Sequence, residues 1–148
     1  MSGSCEPVTD IAWVGTGSNI GSRTLALGRL RQELTHDGVA VEAASSEILT
    51  RPHGIAAQED FHNQVLRLRS PEPWAPEGWL AHCKAAELAA GRRETYRWGP
   101  RVADADILLL GRRGEIRVDT PHLTVPHREL SNRPFLGRLL REIAAPVA

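Results

Sequence analysis

The chain has 148 residues, with 18 basic and 18 acidic side chains and a formal net charge of zero. That length fits one domain with one substantial core, and the charge balance excludes a global field that would draw nucleic acid or a membrane surface. Cys5 and Cys83 are too few and too far apart for a disulfide framework or a zinc site, and no apolar run approaches the ~20 residues that span a bilayer.

Met1–Asp10 is polar and lacks the apolar centre of a signal peptide. It is expected to be a flexible tail before a single domain, 11–148, of an intracellular protein. Ile11–Thr16 is a short apolar run suited to a buried strand, and Gly17-Ser18-Asn19 after it reads as a turn. Ser22 is a candidate N-cap. Leu25, Leu27, Leu30 and Leu34 follow at near-helical spacing, and Asp37-Gly38 stops the helix. Val39–Leu49 reads as extended, Thr50–Asp60 as a loop, and Phe61–Leu68 as a strand. Pro71, Pro73 and Pro76 mark a linker.

A second helix is expected from Pro76 to about Ala90, with Trp79, Leu80, Cys83, Ala86, Glu87 and Ala90 in phase. Arg92–Val102 is a polar loop with four arginines. Ala103–Leu110 is an apolar strand interrupted by Asp104 and Asp106. Gly111–Gly114 is a turn, Glu115–Val118 a short strand, and Leu123–Pro126 a brief extended piece. Arg133–Ile143 is a third helix, with Phe135, Leu136, Leu139, Leu140 and Ile143 on one face. Strands alternating with helices, then short hairpin-like strands, predict an α+β fold with a mainly antiparallel sheet. His36 and His82 are expected at the surface. His62 should face away from its neighbours Phe61 and Asn63.

The residues with the strongest chemical content are Arg97-Trp98-Gly99-Pro100-Arg101 followed by Asp104-x-Asp106. In a strand, the two carboxylates project from one face, roughly 6–7 Å apart at the backbone. Two charges in an apolar strand need a neutralising partner, and Mg²⁺ together with a phosphate ester supplies one. The plain alternative is a solvated strand edge. Upstream arginines favour the metal reading, because several cations on one loop suit charge developing in phosphoryl transfer. Lys84 is the only lysine; codon bias explains that, and so does a preference for the bidentate guanidinium at phosphates. There is no Gly-x4-Gly-Lys-Ser/Thr loop and no Gly-x-Gly-x-x-Gly, so ATP would bind by another architecture.

Together these segments resemble the 6-hydroxymethyl-7,8-dihydropterin pyrophosphokinase family of folate biosynthesis, from Ala12 to about Ile143. The resemblance rests on Gly17-Ser18-Asn19; Thr50-x-Pro52-x-Gly54 with Gln58, Phe61 and Asn63; Glu87-x-x-x-Gly91-Arg92; the Trp-Gly-Pro-Arg-x-x-Asp-x-Asp run; and Leu123-x-Val125-Pro126-His127 with Arg133 and Phe135. It implies a ferredoxin-like α+β fold and transfer of pyrophosphate from ATP to the pterin hydroxymethyl group, releasing AMP. It implies that Asp104 and Asp106 hold two Mg²⁺ ions. Arg92 and Arg101 would contact the triphosphate from a closing loop that carries Trp98, with Glu87, Thr124 and His127 at the ATP site. Phe61 and Phe135 would sandwich the pterin beside Thr50, with Asn63 reading its polar edge. The implied partners are ATP and a pterin-like small molecule, with no nucleic acid or membrane, for a cytoplasmic monomer. Two other readings stay open. One is a pyrophosphokinase for a different heterocyclic alcohol, suggested by Arg51 and His53 at pocket-side positions. The other is an inactive nucleotide- or pterin-binding regulator.

Overall fold

The computed structural model describes residues 7–19, 23–50, 61–91 and 103–144. Strand β1 (Thr9–Ser18) is followed by helix α1 (Arg23–Glu33), strands β2 (Ala40–Ala44), β3 (Ile48–Thr50) and β4 (Phe61–Trp74), helix α2 (Pro76–Gly91) and strand β5 (Ala103–Leu110). The short hairpin β6 (Val118–Asp119) and β7 (Thr124–Val125) and helix α3 (Pro134–Ile143) complete the order. The main sheet runs β2-β4-β1-β5, antiparallel at every pairing, with β3 extending the β2 side along β4. Strand–helix–strand–strand–helix–strand in that order is the ferredoxin-like α+β arrangement, as expected from the sequence.

Both faces of the sheet are covered, and the period-two pattern of β1 shows how. Ala12 and Val14 pack with Leu30, Leu34, Leu66, Leu68, Trp79, Cys83 and Ile107 beneath α1 and α2. Ile11 and Trp13 pack with Val65, Leu108, Leu136, Leu139 and Ile143 beneath α3. Full burial of each large aliphatic side chain contributes roughly 1.5–3 kcal/mol. Pro134 sits at the first position of α3, where a missing N–H is harmless. Among the described residues, no helix is long and apolar enough to cross a membrane.

The structure corrects several boundaries. β1 begins at Thr9, inside the expected tail, because Thr9 pairs with Trp74 and its carbonyl accepts the Trp79 indole N–H at 3.0 Å. Gly17 and Ser18 belong to β1 rather than to a turn, since Gly17 lies between Asn63 of β4 and Asp104 of β5. β4 runs on through Pro71 and Pro73, where the register shifts between Thr9 and Ile11. A bulge tolerates proline because its extra residues owe no ladder hydrogen bond.

Leu25 is 73% exposed, so the buried stripe of α1 is Leu27, Leu30 and Leu34. The expected strand 115–118 is reduced to a bridge from Ile116 to Leu110 and to Val118 in β6. His82 is buried, not superficial, and its Nε2 donates to the Leu34 carbonyl at 2.7 Å. The Ser22 cap and most of the loops 50–60 and 92–102 lie outside the described residues.

Candidate active site

α3 covers only part of its face of the sheet. Beyond Phe135 the same face carries a cavity of about 440 Å³, whose lining includes Gly15, Gly17, Phe61, Asn63, Asp104 and Asp106. The register explains it. Gly17 sits between Asn63 and Asp104, and Gly15 sits between Val65 and Asp106. The central strand therefore presents no side chain where its neighbours present an amide and two carboxylates. An ideal Cβ on Gly17 would lie 3.1 Å from Asn63 Oδ1, and one on Gly15 would lie 3.2 Å from Leu108 Cδ1.

One end of the cavity is aromatic. Phe61 opens β4 and Phe135 is the second residue of α3, and both line it with Thr50. Asn63 Nδ2 donates to Thr50 Oγ1 at 2.8 Å and to the Phe61 carbonyl at 3.3 Å. Those bonds fix the amide so that its oxygen lies over Gly17. Two aromatic rings and an oriented amide suit a flat heterocycle with a hydrogen-bonding edge.

The other end is acidic. Asp104 and Asp106 line the cavity from β5, as their spacing predicts. Burial, then the charges of Asp106 and Glu87, push the Asp104 carboxyl up to about 7, with Arg133 and Lys84 pulling the other way. This carboxylate pair lacks a sufficient positive counterpart among the described residues. Those residues offer no cluster of three or more His, Cys, Asp or Glu that could hold a metal unaided. The donor set nevertheless fits Mg²⁺, which usually takes one or two carboxylates and completes its shell with water and phosphate oxygens.

Asp106 and His127 also line a neighbouring cleft of about 260 Å³, with Lys84, Thr124 and Arg128. His127 is anchored by its backbone N–H, which donates to the Leu108 carbonyl at 3.0 Å. Its Nδ1 accepts the Glu129 N–H at 3.0 Å, so a neutral ring carries its proton on Nε2. The His127 loop follows a cis peptide between Val125 and Pro126. Thr124 Oγ1 accepts from Arg128 Nη2 at 3.3 Å. Glu87 plays a different part from the others. It reaches from α2 to the free edge of β5, where Oε2 accepts the Ala105 N–H at 2.8 Å. Burial raises the pKa of its carboxyl.

The structure thus brings Thr50, Phe61, Asn63, Asp104, Asp106, His127 and Phe135 around one cavity, with Thr124 in the adjoining cleft. Arg92, Trp98 and Arg101 lie outside the described residues. Sequence reasoning missed Gly15 and the pocket-floor role of Gly17. The signal was present: a Gly-x-Gly alternation in one strand matching the Asp-x-Asp alternation in another.

Comparison with known proteins agrees with this geometry. Residues 13–145 match the model of the family described as 7,8-dihydro-6-hydroxymethylpterin-pyrophosphokinase. A 2-amino-4-hydroxy-6-hydroxymethyldihydropteridine pyrophosphokinase of Methylorubrum extorquens is 35% identical over 134 residues, covering 90% of this chain and 82% of that protein. The enzyme of the same name from Bacillus subtilis is 35% identical over 141 residues, 95% of this chain and 81% of its own. That from Aquifex aeolicus is 33% identical over 131 residues, 88% and 78% respectively. By the family match across nearly all of its length, the chain belongs to the 7,8-dihydro-6-hydroxymethylpterin-pyrophosphokinase family.

Proposed function

We propose that this chain transfers the terminal pyrophosphate of ATP to the hydroxymethyl group of 6-hydroxymethyl-7,8-dihydropterin, releasing AMP, as a step of folate biosynthesis. The observation that carries the reading is the adjacency of two unlike chemistries in one cavity: Phe61, Phe135 and Asn63 at one end, Asp104 and Asp106 at the other. The family membership and the names of the relatives support it.

In the reaction, the acceptor hydroxyl oxygen bonds to the β-phosphorus. The bond from that phosphorus to the bridging oxygen breaks, AMP leaves with the oxygen, and the hydroxyl proton passes to water. Phe61 and Phe135 hold the ring flat, and Asn63 fixes its rotation, so that the hydroxymethyl group points along the sheet toward Asp104 and Asp106. Such positioning supplies much of the rate in phosphoryl transfer. Asp104 and Asp106 are the residues that hold Mg²⁺, two ions in this reading, which neutralise the polyphosphate charge. Thr124 and the His127 Nε2–H bind the nucleotide from the adjoining cleft, and Glu87 supports that side. Arg92 and Arg101 contact the triphosphate, and Trp98 closes with them over the site. The protein works as a cytoplasmic monomer with small-molecule partners only, and binds neither nucleic acid nor membrane.

The test is incubation of purified protein with ATP, Mg²⁺ and 6-hydroxymethyl-7,8-dihydropterin, with nucleotides separated by chromatography. AMP is expected only when the pterin is present, and Asp106→Ala is expected to lower its formation by orders of magnitude. ADP in place of AMP, or no turnover with the pterin, overturns the reading.

A further inference from the structure

Arg31, Glu47 and His62 meet on the helical side of the sheet, behind the aromatic end of the cavity. Arg31 belongs to α1, Glu47 immediately precedes β3, and His62 lies in β4 between Phe61 and Asn63. Side chains alternate along a strand, so His62 faces away from the pocket that Phe61 and Asn63 line. Glu47 Oε1 lies 3.3 Å from His62 Nε2, and its Oε2 lies 3.7 Å from Arg31 Nη1. The His62 side chain is only 14% exposed, so salt and water screen this contact less than one at an open surface.

A neutral side chain closes the group. Arg31 Nη1 donates to Gln64 Oε1 at 2.6 Å, and Gln64 Nε2 donates to the Ser45 carbonyl at 2.8 Å. Gln64 and Ser45 are both buried. On the opposite face, the Glu142 carboxylate of α3 accepts the Ser46 N–H and hydroxyl, both at 2.9 Å. The connector from Ser45 to Glu47 is thus fastened from both sides just before β3 starts.

Register shows what this fastening serves. Among the described residues, β3 pairs with β4 at three positions: Ile48 with Asn63, Leu49 with His62 and Thr50 with Phe61. So short a strand gains little from its ladder alone. Thr50 is its last residue, and the Thr50 hydroxyl accepts the Asn63 Nδ2–H at 2.8 Å. His62 occupies the middle pair, between the two that bring Thr50 and Asn63 together. A slip of one residue would turn Thr50 to the other face of the sheet.

We propose that Glu47 is a positioning residue for the acceptor: held by His62 and Arg31, it locks β3 in register on β4 and keeps the Thr50 hydroxyl where it orients the Asn63 amide. Neither Glu47 nor His62 lines the cavity. The identity of the acceptor rests on the pyrophosphokinase reading; the tie between the strands does not.

The test combines kinetics of the full chain with the Asn63 side-chain amide signals of the ligand-free, ¹⁵N-labelled protein. Glu47→Ala should shift those signals and lower kcat/KM for the pterin about three- to tenfold, since a displaced orienting group costs alignment, while KM for ATP stays within about twofold. Glu47→Gln, which still accepts from both partners, should recover most of the loss. In a Thr50→Val background, where the hydroxyl to be placed is gone, Glu47→Ala should cost less than about twofold, because residues acting through one contact are not additive. Should Glu47→Ala not fold, His62→Ala, which removes the partner on β4, carries the same expectations. Asn63 signals that stay in place, equal losses for pterin and ATP, or full additivity with Thr50→Val would overturn the proposal. A wild-type protein that does not turn over the pterin overturns the pyrophosphokinase reading and the acceptor role with it, and the Asn63 signals still report whether Glu47 holds the amide.

Discussion

Glu87 Oε2 and the Ala105 backbone N–H are joined at 2.8 Å, which ties α2 to the residue between Asp104 and Asp106. β5 is an edge of the sheet, and among the described residues this N–H has no strand partner to replace the carboxylate. Glu87→Ala is expected to destabilise the protein by about 1–3 kcal/mol, the range for stranding a partly buried donor. It should also raise the Mg²⁺ concentration needed for half-maximal turnover, because the strand that presents both carboxylates loses its outer support. Glu87→Gln, which can still accept, should recover most of the stability. Chemical denaturation with a Mg²⁺ titration of activity checks both; an Ala variant with wild-type stability removes the clamp.

The pH dependence of the metal-free protein follows from Asp104. Its carboxyl is raised from 3.8 to about 7, chiefly by burial and then by Asp106 and Glu87. Between those values the folded protein holds a proton that the unfolded chain has released. Stability from this group therefore falls as pH rises through the window and is lost above it. In EDTA, Tm should decline from pH 5 to pH 8 beyond what other groups cause. Asp104→Asn should flatten that decline and raise Tm at pH 8 while abolishing turnover. A decline of the same slope in the Asn variant would assign it elsewhere.

Phe135 separates packing from recognition. It lies at the start of α3, only partly buried against Leu136, Leu139 and their neighbours, and it lines the pocket. Phe135→Ala should therefore destabilise by less than the ~3–5 kcal/mol typical of a fully buried Phe. Pterin affinity should fall about tenfold or more, since the stacked ring contributes on the order of 1 kcal/mol beyond the area it covers. ATP-analogue affinity should stay within about twofold. Calorimetry with each ligand decides it; equal losses for both would mean a general collapse of the site.

These contrasts also show why some features were legible in the sequence and others were not. Asp104 and Asp106 were readable because a strand has period two and carboxylates in an apolar run are conspicuous. The face of α3 was readable from the spacing of Leu136, Leu139 and Ile143. The fold class followed from the alternation of elements. By contrast, Pro71 and Pro73 obey a local rule that a bulge suspends, and the bulge is set by pairing with a distant strand. His82 looked superficial because nothing local says that the Leu34 carbonyl needs a donor. Leu25 fits the helical period as well as Leu27 does, yet only tertiary packing decides which is covered. The assembly of Thr50, Asn63 and Phe135 came from family resemblance, since no local signal joins residues so far apart in the chain.

Gly17 gives the most direct test of the pocket geometry. It lies in the central strand between Asn63 and Asp104, and its backbone is ordinary strand, without a positive φ. Alanine there is free of backbone strain, and β propensity changes by less than about 1 kcal/mol. The new Cβ would sit 3.1 Å from Asn63 Oδ1 and 3.8 Å from Phe61 Cδ1. Asn63 can yield only by disturbing its 2.8 Å bond to Thr50 and its 3.3 Å bond to the Phe61 carbonyl. The amide that reads the acceptor's edge would turn, and the floor beneath the ring would rise. Gly17→Ala should therefore keep its fold and Tm within a few degrees, bind an ATP analogue nearly as before, and raise KM for the pterin about tenfold or more, equivalent to ~1.4 kcal/mol. Steady-state kinetics with the pterin varied at saturating ATP measures it. Wild-type KM in a folded Gly17→Ala protein would show that the acceptor does not lie over this part of the sheet.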